Sequence, residues 1–151
     1  MKQITDTLVM IRPVNFRMNE ETAVNNYFQH STGDLQESVN AKAQKEFDTF
    51  ADKLKSVGVN IIIIDDIASQ DTPDSIFPNN WVSFHENGDV ALYPMFAKNR
   101  RKERREDIFK TIEAEGRFIR NFIDYTSAEQ EDFYLEGTGS LILDRVNSKA
   151  Y

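Results

Sequence analysis

Cysteine is missing from all 151 residues, which excludes disulfides, thiolate metal sites and a cysteine nucleophile supplied by this sequence. Histidine is nearly as scarce, with only His30 and His85. Neither has a partner at metal-ligand spacing, so no metal site is predicted and both are assigned surface or structural roles. A basic excess is also lacking: 18 Lys and Arg stand against 25 Asp and Glu, for a formal charge of −7. That balance argues against general binding to nucleic acid or to a membrane surface and suits a cationic small molecule better. Long hydrophobic runs are absent too. The opening "MKQITDTLVMIRPVNF" is too short in its apolar part for a secretion signal, and nothing later approaches a membrane span, so a cytoplasmic protein is expected. No linker or low-complexity tract divides the sequence, and residues 1–151 are expected to form one domain with a real core.

What is present alternates between strand and helix signals. Leu8 to Ile11 reads as a short buried strand ended by Pro13. The asparagine-rich segment after it reads as a surface loop with Phe16, Tyr27 and Phe28 tucked beneath. From Leu35, Val39, Ala43, Phe47, Phe50, Leu54 and Val57 recur at three- and four-residue steps, which is one face of a helix stopped at Gly58. Val59 to Asp65, "VNIIIID", lacks polar alternation and predicts a strand buried on both faces. "WVSFHENGDVALYP" alternates about Asn87-Gly88, a strong hairpin turn signal. Ile108, Phe109 and Ile112 then mark the inner face of a second helix ending near Gly116, and "FIRNFIDY" reads as a strand. Ser127-x-x-Gln130 has capping-box spacing for one helical turn, and "FYLEGTGSLILDR" reads as a strand broken by Gly137 and Gly139. The class is mixed α/β, with about two repeated modules. Lys98, Arg100, Arg101, Lys102, Arg104 and Arg105 lack interleaved aromatics and run into Glu106 and Asp107, so they are read as a solvated helix face and not as a grip on phosphate or RNA.

Two stretches carry chemistry. In "PDSIFPNN", Asp74 offers a carboxylate, Phe77 a flat apolar wall, and Asn79 and Asn80 directional donors and acceptors. Such a loop between buried strands suits the rim of a pocket; equally, it suits an Asx-turn leading into the hairpin, with Trp81 as ordinary core. In "LEGTGSL", Glu136 is a single carboxylate in an apolar run followed by glycines that allow close approach. The alternative there is a β-bulge with Glu136 turned to water.

"PDSIFPNNW" and "LEGTGSLILDR", in that order and about 55 residues apart, resemble the guanidine-modifying superfamily of arginine deiminases, dimethylargininases and amidinotransferases. "VMIRPVNF" and "ETAVNNYFQ" extend the resemblance over nearly the whole chain, toward the bacterial amidinotransferase-like branch associated with citrulline use. It implies a five-bladed α/β propeller (pentein) of ββαβ-type modules. It also implies cofactor-free cleavage of C–N bonds, in which a thiolate attacks the guanidino carbon, a histidine moves protons and carboxylates hold the planar cation. By position, Asp74 and Phe77 match substrate-contacting residues, and Glu136 matches the glutamate beside the catalytic histidine.

Two departures shape the expectation. Where dimethylargininases have an acidic pair, this chain has Asn79 and Asn80, which offer amide N–H as well as oxygen and shift preference toward a neutral ureido group. The histidine and cysteine that the resemblance places well after the "LEGTG" motif are missing, and the sequence is expected to represent about the N-terminal half of such an enzyme. The reading is therefore the N-terminal part of an amidinotransferase-like hydrolase for an arginine- or citrulline-like amino acid, inactive alone, with Asp74, Phe77, Asn79, Asn80 and Glu136 as half of its pocket. The alternative is a non-catalytic binding or interaction module that keeps the half-propeller as a scaffold. Exposed strand edges and apolar faces near Leu141 to Leu143 predict self-association in either case.

Overall fold

A computed structural model describes residues 2–24, 26 and 35–151. His30, Tyr27 and Phe28, to which the sequence assigned a surface or structural role and a place beneath the loop, lie outside the described residues. The chain divides into two compact units, one of residues 6–77 and 97–103, the other of the N-terminal residues through Thr5 with 78–96 and 104–151.

The first unit is a βαβ arrangement. Strand β1 (Thr7–Arg12) leads through the single turn α1 (Glu20–Ala23) and the long helix α2 (Gln36–Ser56) to β2 (Asn60–Asp65), and α3 (Lys98–Arg101) joins it later. β1 and β2 pair in parallel from Thr7↔Asn60 to Arg12↔Asp65. Helix α2 stops where the spacing predicted, because Gly58 takes φ +86, a left-handed value that glycine adopts without a Cβ penalty. Phe47 and Ala51 of α2 are buried together with Ile11, Ile62 and Ile64. The isoleucine run is not covered on both faces: Ile63 is 36 % exposed while Ile62 and Ile64 are buried. One helix packs on this two-stranded sheet and shields one face, so alternate residues remain open.

The second unit runs in ββαβ order. β3 (Val82–Phe84) turns through Asn87-Gly88 into the antiparallel β4 (Asp89–Leu92). Helix α4 (Glu106–Ala114) then crosses to β5 (Asn121–Asp124), which lies parallel to β4. Trp81, Val90, Met95, Ile108 and Ile112 fill the core, and the Trp81 ring meets Phe109 edge-on at 6.1 Å. The segment at Thr126–Glu131 is a 3-10 turn, but no capping box closes it; the Asp124 carboxylate accepts from Thr126 N–H at 2.8 Å in its place. "LEGTGSL" is not a strand. It forms the helical turn α5 (Gly137–Ser140), followed by the small hairpin of β6 (Leu143–Asp144) and β7 (Lys149–Ala150). Gly137 sits at φ +36, a conformation incompatible with a β ladder.

The basic cluster is a solvated face only in part, since Lys98 and Lys102 are exposed but two of its arginines are not. Arg100 and Arg105 are 4 % and 7 % exposed, because each meets a nearby carboxylate: Arg100 with Glu103 at 2.9 Å and Arg105 with Asp107 at 2.6 Å. Arg104 likewise reaches Glu129 at 2.6 Å. No helix of the described residues is long and apolar enough to cross a membrane.

Candidate functional site

In the second unit the two motifs meet. The 3-10 turn Pro78–Asn80 lies against α5. Asn80 Nδ2 donates to Glu136 Oε2 at 3.3 Å, and since a carboxylate only accepts, this contact fixes the orientation of the amide. The other carboxylate oxygen, Oε1, accepts from Phe96 N–H at 3.0 Å. Asn79 Nδ2 donates to Thr138 Oγ1 at 3.0 Å, and that hydroxyl donates back to the Asn79 carbonyl at 3.3 Å. The glycines make this approach possible. A Cβ at Gly137 would collide with the Asn79 carbonyl and lie 2.9 Å from the Asn80 carbonyl, and one at Gly139 would collide with Asn80 Nδ2. Asn79 is exposed, while Asn80 and Glu136 are half-buried. The result is a rim where a carboxylate and two amides are held by one another and by backbone, still open to solvent.

The remaining candidates, Asp74 and Phe77, belong to the first unit. Asp74 is 5 % exposed, and its Oδ2 accepts from Asn19 Nδ2 at 2.7 Å and from Thr22 Oγ1 at 3.1 Å. Asn19 also exchanges amide hydrogen bonds with Asn99, at 2.7 and 3.2 Å. Phe77 is 48 % exposed, and Arg100 Nη2 holds its carbonyl at 2.9 Å. Glu103 steadies that guanidinium through Nε at 2.9 Å and Nη2 at 3.1 Å. Burial pushes the Glu103 carboxyl up to about 7 against the pull of Arg100, with Asp74 and Asp66 adding to the rise. The sequence reading missed Asn19, Asn99, Arg100 and Glu103. Only the last two left a local signal, an Arg-x-x-Glu spacing that brings both side chains to one side of a helical turn.

His85 belongs to a separate polar chain in the second unit. Arg145 Nη1 lies 3.1 Å from its Nδ1, and a guanidinium only donates, so Nδ1 accepts and the ring proton resides on Nε2. Nε2–H then donates to Ser83 Oγ at 3.0 Å, whose hydroxyl lies 2.8 Å from Tyr93 Oη. With its basic nitrogen occupied by Arg145, His85 cannot serve Ser83 as a general base. Burial and the Arg145 charge lower its pKa, partly offset by Asp89. Among the described residues no group of three His, Asp or Glu side chains is arranged to hold a metal ion. A shallow groove along α2, lined by Lys42, Glu46, Thr49 and Phe50, contains none of the candidate residues.

The family described as N,N dimethylarginine dimethylhydrolase, eukaryotic, matches residues 12–151. No curated protein matches the chain. Among solved structures, the N-terminal domain of ArgZ bound to substrate, an arginine dihydrolase from the Ornithine-Ammonia Cycle in Cyanobacteria, is 18 % identical with a TM-score of 0.62, covering 95 % of this chain and 47 % of that one. Unliganded AgrE is 19 % identical with a TM-score of 0.66, covering 95 % of this chain and 19 % of that one. AgrE with ornithine and NAD+ is 18 % identical with a TM-score of 0.61, over 93 % and 19 %. At this identity the likeness is one of fold, and the mixed α/β fold is shared. The chain spans about half the length of the ArgZ N-terminal domain.

Proposed function

The chain belongs to the family of eukaryotic N,N-dimethylarginine dimethylhydrolases, within the guanidine-modifying superfamily, and from that premise we propose that it builds one side of a pocket for a guanidino or ureido amino acid whose C–N bond is hydrolysed. The observation that carries this reading is the contact of Asn80 with Glu136, which joins two motifs distant in sequence at a solvent-open rim. Glu136 is the orienting carboxylate there, already placed by Asn80 and by Phe96 N–H. Each asparagine has one amide hydrogen engaged and retains its carbonyl oxygen and second hydrogen for a planar ligand head. In the first unit Asp74 is the buried anchor of its loop, held by Asn19 and Thr22, and Phe77 offers an apolar wall there. ArgZ was solved bound to substrate and AgrE with ornithine, which supports an arginine-like ligand. The whole fold of such an enzyme is a five-bladed propeller, of which the two units correspond to about two modules.

The attacking thiolate cannot come from these 151 residues, which contain no cysteine. By themselves they bind and do not turn over. The same absence favours a second reading, a binding module without catalysis.

Calorimetric titration of L-arginine and of citrulline into the purified chain tests the proposal. Binding of at least one ligand is expected, weakened by Glu136→Gln and by Asn80→Ala. Failure of both ligands to bind the folded chain overturns the reading, while ligand hydrolysis by these residues alone overturns the assignment of the thiolate elsewhere.

A further inference from the structure

Strand β5 ends the sheet β3-β4-β5. Arg120 N–H donates inward to the Gly88 carbonyl, and backbone groups in a parallel pair alternate sides, so the N–H and C=O of Asn121 and Ile123 point away from β4. Residues 118–125, "FIRNFIDY", contain neither proline nor lysine, and they leave Phe118 75 % and Phe122 45 % exposed. Arg120, Phe122 and Asp124 project from one face by strand alternation, the face on which Phe122 meets Phe109 of α4 edge-on at 4.9 Å.

Read antiparallel against itself, this strand is self-complementary. Alignment about Phe122 sets Arg120 opposite Asp124 at both ends, Phe122 opposite its own copy, and Asn121 opposite Ile123. Each charge then faces its opposite at cross-strand distance, and the outward backbone groups of Asn121 and Ile123 find each other. Neither strand of the first unit has this property. β2 carries no cation, and Arg12 of β1 is already committed to Asp48 at 2.8 Å.

We propose that β5 is a self-association edge, through which a second copy of this chain pairs antiparallel about a twofold axis at Phe122 to continue the sheet from one copy into the other. The inference stands apart from the proposed ligand pocket, since it uses none of the pocket's residues.

Sedimentation velocity over a concentration series tests it. The chain should pass from monomer to dimer with rising concentration. Arg120→Asp and Asp124→Arg each place like charges opposite one another at two points, and each should weaken dimerisation by about tenfold or more. The double variant restores both pairs and should dimerise about as well as the parent. A mixture of the two single variants should form a heterodimer that neither forms alone, and circular dichroism confirms that each remains folded. A monomer at every concentration overturns the proposal, as does dimerisation indifferent to both reversals or a mixture that fails to associate.

Discussion

Asn80 donates its side-chain amide to Glu136 across 56 positions of sequence, at 3.3 Å. The contact is one strand of a tighter joint that includes the Asn79–Thr138 exchange and the hydrogen bond from Phe96 N–H to Glu136. A half-buried carboxylate with both oxygens engaged is held in one orientation, which a binding residue requires before its ligand arrives. The joint closes only because α5 presents glycine where it touches the asparagine turn.

Gly137→Ala should therefore destabilise the protein more than Gly139→Ala. At Gly137 the added Cβ meets backbone carbonyls and the backbone sits at φ +36; at Gly139 it meets the end of the Asn80 side chain, which can swing aside. Urea unfolding should show a loss of about 1–3 kcal/mol at Gly137, the usual cost of forcing a side chain into a left-handed conformation. Equal losses at the two positions would contradict the close approach.

Much of the scaffold was legible in the sequence where structure is set locally. The spacing from Leu35 to Val57 marks α2 and Gly58 its end, although Leu35, Phe50 and Val57 of that face stay exposed, and Asn87-Gly88 marks the β3–β4 hairpin. The errors arise where side-chain partners, near or distant, decide burial and conformation. "LEGTGSL" has the apolar look of a strand, but its glycines serve contact with a turn some 56 residues earlier. Arg100 and Arg105 resemble surface residues until Glu103 and Asp107 are seen beside them. The pairing of Asn19 with Asn99, 80 positions apart, leaves no periodicity to detect. Within the candidate site the sequence singled out Asn79, Asn80 and Glu136, which the fold brings together, but not Thr138 or Phe96 N–H, which hold them.

Glu103 should make stability fall as pH rises. Its folded pKa, about 7, lies above the ordinary 4.5, so its contribution is complete below about 4.5 and is lost as pH rises through 7. The slope it imposes is at most about 1.4 kcal/mol per pH unit. Subtracting the unfolding free energies of Glu103→Gln from those of the parent across pH 4.5–7.5 isolates this slope, and a flat difference would count against it.

His85 should act with the opposite sign. Its pKa is lowered by burial and by Arg145, so its contribution is present above the ordinary 6.5 and is lost as pH falls through the lower folded value. Proton NMR titration should place the ring's midpoint below 6.5, with the proton of the neutral ring on Nε2. Arg145→Gln removes the opposing cation and should raise the His85 pKa. A ring proton on Nδ1 in the parent would refute the hydrogen-bond direction assigned to Arg145.

The polarity of the joint itself can be inverted. Asn80→Asp sets a second carboxylate 3.3 Å or so from Glu136, and two carboxylates at that distance cannot both ionise cheaply, so one is driven to take up a proton. The variant should lose about 1–3 kcal/mol of stability at pH 7, the cost of leaving such groups without a donor, and recover part of it near pH 5, where a shared proton restores the hydrogen bond. Adding Glu136→Gln supplies an amide on the other side. In that double variant Gln at 136 donates to the new carboxylate, and stability at pH 7 should return toward the parent. Phe96 N–H then faces an amide oxygen in place of a carboxylate, so the return is incomplete. Urea unfolding at pH 5 and pH 7 of both single variants and the double variant measures the coupling as a cycle. A single Asn80→Asp variant as stable as the parent at pH 7 would show that the amide and Glu136 do not hold one another.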